Sequence, residues 1–312
     1  MSLCLGLDTS NYTTSVALFD GKDGRNVGRL LAVPEGSLGL RQSDALFQHV
    51  KRLPELFHVL REEGWLSDPV SAVGASTRPR AVEGSYMPCF LAGTAQGRAL
   101  ADTLGVPFFE CSHQQGHVAA AAWSSGHQEL MDQPHLAWHL SGGTTELLLV
   151  TPDGVNVKAE KLGGTSDISA GQLIDRTGVL LGLPFPAGKA VDALYQETDI
   201  CLEYRVKLND LTFSFSGMEN KVRQMVDKGE KPANIARFTL DTVINVILRA
   251  TQEAQRQYPG LPVLCSGGVS SNSQLRSAME HICHALFAQP QYSTDNAMGV
   301  AILTHRMLEG EN

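Results

Sequence analysis

The sequence predicts an α/β fold built as two similar lobes, and three observations carry that expectation. An apolar strand that enters a short polar turn and leaves as a second apolar strand occurs near the start, Leu3–Leu7 to Thr13–Phe19, and again at Leu136–Leu140 to Glu146–Thr151. A third apolar strand, Pro262–Ser266, runs into a Gly-Gly turn. Stretches with helical spacing of apolar residues lie between and after these units, so the two periodicities alternate along the chain. A second half that repeats the design of the first reads as two related lobes, and 312 residues suit two domains.

In chain order, Leu3–Leu7 and Thr13–Phe19 form a hairpin whose polar tip carries Asp8, Thr9 and Ser10. Residues 44–63 show helical periodicity interrupted by Pro54. Residues 71–75 (SAVGA) read as a buried strand, and Phe90–Leu104, rich in Ala and Gly, as a closely packed helix. Val106–Phe109 is a further strand and Gln114–Trp123 a further helix. In the second half, Ile235–Gln257 is a long amphipathic helix whose apolar stripe faces the core, stopped by Pro259-Gly260. The last helix, Asn296–Leu308, is expected to pack back on the first lobe. The boundary is therefore placed near Glu110, with an N-terminal lobe of residues 1–109 plus 296–312 and a C-terminal lobe of residues 110–295.

Composition narrows the function. Apolar residues make up 43% and charged residues 19%, which excludes a disordered chain. The formal charge, 25 − 33 = −8, argues against nucleic-acid binding by bulk charge but leaves room for a local basic groove. No apolar run reaches the length of a membrane span, and MSLCLGLDTSNYTTSVALF lacks the basic start and cleavage site of a signal peptide. The cysteines at 4, 89, 111, 201, 265 and 283 form no CxxC pair and read as reduced thiols of a cytoplasmic protein, not as a Cys4 zinc site.

The turns and one helix carry the chemistry. Small residues let backbone N–H groups face an anion, at Asp8 and Ser10 in the first turn, at Leu140, Ser141, Gly142, Gly143 and Thr144 in the second, and at Gly267, Gly268 and Asn272 in the third. One Gly-Gly turn is an ordinary hairpin; three, each following an apolar strand, are more specific. Their order resembles the superfamily of actin, sugar kinases and heat-shock chaperone ATPases, which implies a nucleotide in an interlobe cleft with its adenosine at the third turn. In Ser112-His-Gln-Gln-Gly-His117, imidazoles four residues apart project from one helical face, close enough to chelate one ion. Asp295, just before the last helix, is the best third ligand, although a plain helix cap is the alternative. Two His and one carboxylate leave positions open for substrate oxygens. His139, mid-strand, reads as packed core, and Cys111 as pointing away from the ion. No Ser–His–Asp or Cys–His protease arrangement is present, and HxxxH lacks the Glu of HExxH.

Taken together, the ordered motifs LGLDTSNYTTSVAL, SHQQGH, LSGGTTEL, DISAGQLID with LGLPFPAG, FSFSG, CSGGVSSNSQLR and STDNAMG resemble the tRNA threonylcarbamoyladenosine transferase family of the TsaD type, once described as glycoprotease, over nearly the whole chain. The resemblance implies one divalent transition metal, Fe or Zn, on His113, His117 and Asp295. It also implies that Asp175 and Gly188 hold the ribose or threonyl part of the substrate, and that Asn272 contacts the nucleotide. Threonylcarbamoyl-AMP, made by a separate synthase, would be the donor, with the adenosine adjacent to the tRNA anticodon as acceptor. Accessory subunits would be further partners, with no membrane involved. The chain departs from the family at Thr144 (usually His), Gln172 (usually Glu), Asp8 (usually Glu) and the Arg78-Pro79-Arg80 loop (usually Gly-Pro-Gly). Those departures keep two alternatives open: a paralogous nucleotide-dependent carbamoyl-type transferase with another acceptor, and a non-catalytic partner subunit.

Overall fold

The structure is a computed structural model that describes residues 2–10, 12–33, 40–200 and 205–310. Asn11, in the first turn motif, and Cys201 lie outside the described residues. The chain opens with β1 (Leu3–Asp8), β2 (Thr13–Phe19) and β3 (Gly24–Leu30), then α1 (Gln42–Glu62), β4 (Val70–Arg78), α2 (Phe90–Leu104), β5 (Phe108–Ser112) and α3 (His113–Ser124). It continues with β6 (His135–Leu140), β7 (Thr145–Asp153), β8 (Asn156–Thr165), α4 (Ala170–Leu180), α5 (Gly188–Tyr195), β9 (Thr212–Phe213), α6 (Ser216–Asp227) and α7 (Pro232–Gln257). The last elements are β10 (Val263–Ser266), α8 (Ser273–Cys283), β11 (Leu286–Phe287) and α9 (Met298–Gly310).

Two mixed sheets result, ordered β3-β2-β1-β4-β5 and β11-β10-β6-β7-β8-β9. In the first, β1 pairs antiparallel with β2 and parallel with β4. In the second, β6 pairs antiparallel with β7 and parallel with β10. The halves are thus repeats in topology: each first strand is central, with its hairpin partner on one side and a later parallel strand on the other. That is why β1 and β2 are buried along their whole length and read as continuous apolar runs.

The chain divides into two compact units, Met1–Gln133 with Thr151–Ala159 and Asp295–Asn312, and Pro134–Val150 with Glu160–Thr294. A boundary between 109 and 110 would cut β5 in two. β5 is hydrogen-bonded to β4, and α3 packs on α9, which lies against β1 and β4, so β5 and α3 belong to the first unit. α9 lies in the same unit, against β1 and β4.

One face of the first sheet is covered by Leu53, Leu56 and Leu60 of α1 and the small residues of α2. The other carries α9, so close that a Cβ on Gly6 would meet Ala301 N at 2.4 Å. α1 runs unbroken through Pro54. Proline deprives the Val50 carbonyl of its helical partner, but Val50 is 55% exposed, so the loss falls on the solvent side of the helix. In the second unit, Trp138, Leu147, Phe213 and Phe215 pack with the Val243, Val246, Ile247 and Ala250 stripe of α7. Trp138 Nε1 donates to Thr251 Oγ1 at 2.8 Å, satisfying its buried N–H. The five described cysteines are buried thiols. No helix among the described residues is long and apolar enough to cross a membrane.

Candidate metal centre

The site is built where a strand becomes a helix. β5 ends at Ser112, whose hydroxyl accepts from Gln115 N at 3.2 Å while Gln115 Oε1 accepts from Ser112 N at 2.8 Å. This reciprocal cap starts α3 at His113. The Gln115 amide also donates to Val157 O at 2.8 Å, which locks the first turn. His113 and His117 then stand one above the other on the helix, with ring centroids 4.3 Å apart.

The third group arrives from the other end of the chain. Ala297 N donates to Ser15 Oγ and Asn26 Oδ1, both at 2.9 Å, pinning the approach to α9 onto β2 and β3. Asn296 Oδ1 accepts from Met298 N at 3.1 Å at the start of α9, while the Asp295 carboxylate points at the two imidazoles. A backbone contact sets the spacing: a Cβ on Gly299 of α9 would lie 1.7 Å from Gly116 O, between the two histidines on α3.

Asp295 Oδ1 lies 3.5 Å from His113 Nε2 and 3.3 Å from His117 Nε2, and the two Nε2 atoms are 2.9 Å apart. The candidate ligand atoms of the three residues all lie within 4.8 Å of one another. Two nitrogens each about 2.1 Å from one ion are about 3.4 Å apart at the tetrahedral angle and about 3 Å apart at the right angle of an octahedral site, so the observed separation is close to that of a shared ion, nearer the octahedral value. The tautomer fits as well. His113 Nδ1 donates to Asp8 Oδ1 at 3.0 Å, and because a carboxylate only accepts, the neutral ring keeps its lone pair on Nε2.

The charges are interlocked. Burial alone would lower the His113 pKa, but the Asp8 charge and a hydrogen bond with Asp295 outweigh it and raise it to about 10. Burial pushes Asp295 up, yet its hydrogen bonds to both imidazoles hold it well below the ordinary carboxylate range. Asp8 is lowered too: burial opposes its charge, and the His113 charge with the hydrogen bonds from His113, Ser10 and Ser76 overrides that. A cation held between carboxylates is the arrangement a metal ion would take over.

Asp8 is therefore not the substrate contact expected at the first turn. Its side chain is fully buried and committed to His113, to Ser10 (Oγ donates at 2.6 Å) and to Ser76. Ser10 is buried with it, 2% exposed. Both sit behind the imidazole pair, and no local pattern showed this, because Ser76 comes from β4 and His113 from the start of α3, both far from Asp8 in sequence. Cys111 is buried, with Sγ on Ala75 O at 3.8 Å and its thiol pKa pushed up by burial, so it offers no ligand.

In the second unit, the second and third turns leave the ends of the parallel neighbours β6 and β10, where Ser266 pairs with His139. Gly267, at φ 96°, packs against Leu140, and a Cβ there would meet Leu140 O at 2.1 Å. Leu140 is fully buried and supports the turn through its backbone. Gly142 and Gly143 are exposed, Ser141 and Thr144 half-buried, and Gly268 exposed beyond Gly267. The start of α4 closes on the second turn: Ser169 Oγ donates to Gly142 O at 2.7 Å, and Gly171 has no room for a Cβ beside Gly142. Gln172 forms a capping box with Ser169. Asp175 accepts from Ala187 N at 2.8 Å, which ties it to the exposed Gly188 at the start of α5. Asn272 is engaged at both ends of its amide, capping Leu275 N at 2.9 Å and donating to Asp192 at 2.7 Å. It anchors the third turn to α5. Asp167, the first residue of the DISAGQLID motif, had no role of its own in the sequence reading: it accepts from Phe215 N at 2.8 Å and Ser216 N at 3.2 Å, and so fixes the start of α6.

Residues 39–302 match the family model for tRNA N6-adenosine threonylcarbamoyltransferase. The chain is 31% identical to the tRNA N6-adenosine threonylcarbamoyltransferase of Thermus thermophilus, covering 97% of this chain and 92% of that one. Among solved structures it resembles full-length HypF in its phosphate- and nucleotide-bound form, with a TM-score of 0.63 at 13% identity over 99% of this chain and 47% of that one. It also resembles the ROK hexokinase of Thermus thermophilus, with a TM-score of 0.54 at 12% identity over 98% and 99% of the two chains. Likeness at such identities concerns the fold alone, and the fold is that of the two-lobed sugar-kinase type.

Proposed function

Since this chain belongs to the tRNA N6-adenosine threonylcarbamoyltransferase family, we propose that it transfers a threonylcarbamoyl group from threonylcarbamoyl-AMP to the adenosine beside a tRNA anticodon, in the cytoplasm, with the donor made by a separate synthase. The observation that carries the reading is the convergence of His113, His117 and Asp295 in a chain matched over most of its length. A bound metal, iron or zinc by the affinity of imidazole and carboxylate, would supply Lewis-acid polarisation of donor oxygens. His113, His117 and Asp295 would hold it, and Asp8 would orient His113 through Nδ1.

The remaining residues bind and position. Gly142, Gly143 and Gly268 are exposed and lack side chains, so their N–H groups can approach the nucleotide's phosphate. Asp175 and Gly188, linked through the Ala187 N–H that Asp175 accepts, would take the ribose or threonyl hydroxyls. In the transfer the adenosine N6 forms a bond to the carbamoyl carbon. The carbon–oxygen bond to phosphate breaks, AMP leaves with that electron pair while backbone donors stabilise the developing charge, and the proton displaced from N6 passes to solvent.

The test is incubation of the protein with threonine, bicarbonate, ATP, a threonylcarbamoyl-AMP synthase, the family's accessory subunits and an unmodified tRNA transcript, followed by mass spectrometry of the digested nucleosides. Threonylcarbamoyladenosine that disappears with His117→Ala is the expected result. Modification that survives loss of both histidines would refute the role of the centre, and its absence with every component present would refute the acceptor.

A further inference from the structure

α7 carries Arg249, Gln252 and Arg256 at spacings of three, four and seven, hence on one face. Residues 205–208 lie along that face. Arg249 Nη1 donates to Val206 O at 2.7 Å, Val206 is buried in the core, and Arg205 and Lys207 on either side of it are exposed. Arg205, Arg249 and Arg256 line a groove of about 460 Å³. A second groove of about 350 Å³ shares Arg205, adds Lys207 and reaches Ser166 and Ser214. Those two serines flank Asp167, at the start of the segment that leads into α4 and Asp175. All of these residues belong to the second unit.

The charge balance singles the groove out. Four cations face two carboxylates, Asp210 and Glu253, in a chain of net charge −8. Glu253 is paired with Arg256 at 3.0 Å, and Asp210 accepts from Gln257 Nε2 at 2.6 Å. Arg205 and Arg249 have no ion-pair partner among the described residues. Burial, and then the Arg205 charge, lower the Arg249 pKa. Two guanidiniums side by side without a counter-ion favour an anion between them, and a row of cations along a groove suits a repeating one.

We propose that Arg205, Lys207, Arg249 and Arg256 bind backbone phosphates of the acceptor RNA, leading it along the groove toward the Ser166–Asp175 segment. The proposal rests on the tRNA reading above and adds the surface that holds the acceptor. Phosphate contacts of this kind orient an RNA without reading its sequence. They also reconcile an acidic protein with a polyanionic substrate.

The test uses the full chain and an unmodified tRNA transcript, titrated by fluorescence anisotropy at several salt concentrations. The Arg205→Gln/Lys207→Gln double variant changes only exposed side chains, so it separates charge from folding. It should weaken binding about tenfold or more near 0.1 M salt, and flatten the dependence of log K on log salt by about one per cation removed. Arg256→Gln should act in the same direction. Arg249→Lys should bind better than Arg249→Gln at equal melting temperature, because it keeps the charge. Metal content should be unchanged throughout. Wild-type protein that binds tRNA while the double variant binds it equally, with the same salt slope, overturns the groove and leaves the tRNA reading standing. Wild-type protein that binds no tRNA overturns both.

Discussion

The side chain that most changes meaning between sequence and structure is Asp8. By motif it belongs to a phosphate turn; by position it is a buried acceptor fixing the tautomer of His113. Partners of metal-ligating histidines commonly contribute about 10–100-fold to metal affinity, so Asp8→Asn should lose metal by that factor in a chelator competition, with secondary structure intact. Equal affinity in the two proteins would return Asp8 to the turn. A second buried titratable group gives a pH signature. His49 is fully buried, with Nδ1 2.8 Å from Thr14 Oγ1 and no partner for Nε2 among the described residues. Burial pushes its pKa from 6.5 down to about 4. The folded value is thus below the unfolded one. Above pH 6.5 both states are neutral at this residue and stability is whole, while between 6.5 and about 4 only the unfolded chain takes the proton. Stability should fall through that window by up to about 1.4 kcal/mol per pH unit. Urea midpoints from about pH 7 down to about pH 5 should show the slope, and His49→Gln should flatten it. A wild-type slope no steeper than the variant's would mean that His49 titrates normally.

At the level of elements, the helix α3 and its imidazole pair were legible because the spacing of four is local. The partner that completes the site was legible only as a motif, since Asp295 is brought in by α9 from the far end of the chain. β3 and β8 were not read at all. Sequences such as Gly24–Leu30 (GRNVGRL) lack apolar alternation and become strands through pairing with β2, not through their own propensity. The α3–α9 contact makes an asymmetric prediction. On Gly299 a Cβ would overlap Gly116 O, a backbone atom that cannot turn aside, whereas on Gly116 the nearest atom is Val300 Cγ2 at 3.5 Å, an ordinary contact. Gly299→Ala should therefore push α9 off α3, cost about 3 kcal/mol, toward the upper end for overpacking, and pull Asp295 from the imidazoles with loss of metal. Gly116→Ala should keep both metal and melting temperature, helped by the better helix propensity of alanine. Similar losses in the two variants would mean that something other than this approach sets the geometry.

For the whole molecule, the repeated strand–turn–strand design announced two related halves, and both sheets carry it in the same order. The division between them was harder to read, because it depends on packing partners: β5 and α3 stay with the first unit through β4 and α9, and Thr151–Ala159 joins it as a separate piece. One consequence is that the first unit is closed by the last segment of the chain. Met298, Val300, Ile302 and Leu303 of α9 are each at most 1% exposed. At about 2 kcal/mol for each buried side chain, they rival the net stability of an ordinary domain, about 5–15 kcal/mol. A chain ending at Thr294 should leave β1, β2 and β4 without their cover, and the amides of those strands should lose protection in hydrogen exchange. The second unit has its own core around Trp138, whose indole is bonded within that core to Thr251, so β6 and β10 should stay protected in the same sample. Loss of protection in both sheets together would show that the second unit depends on the first for its stability, and protection that persists in β1 would show that α9 is dispensable to the sheet it covers.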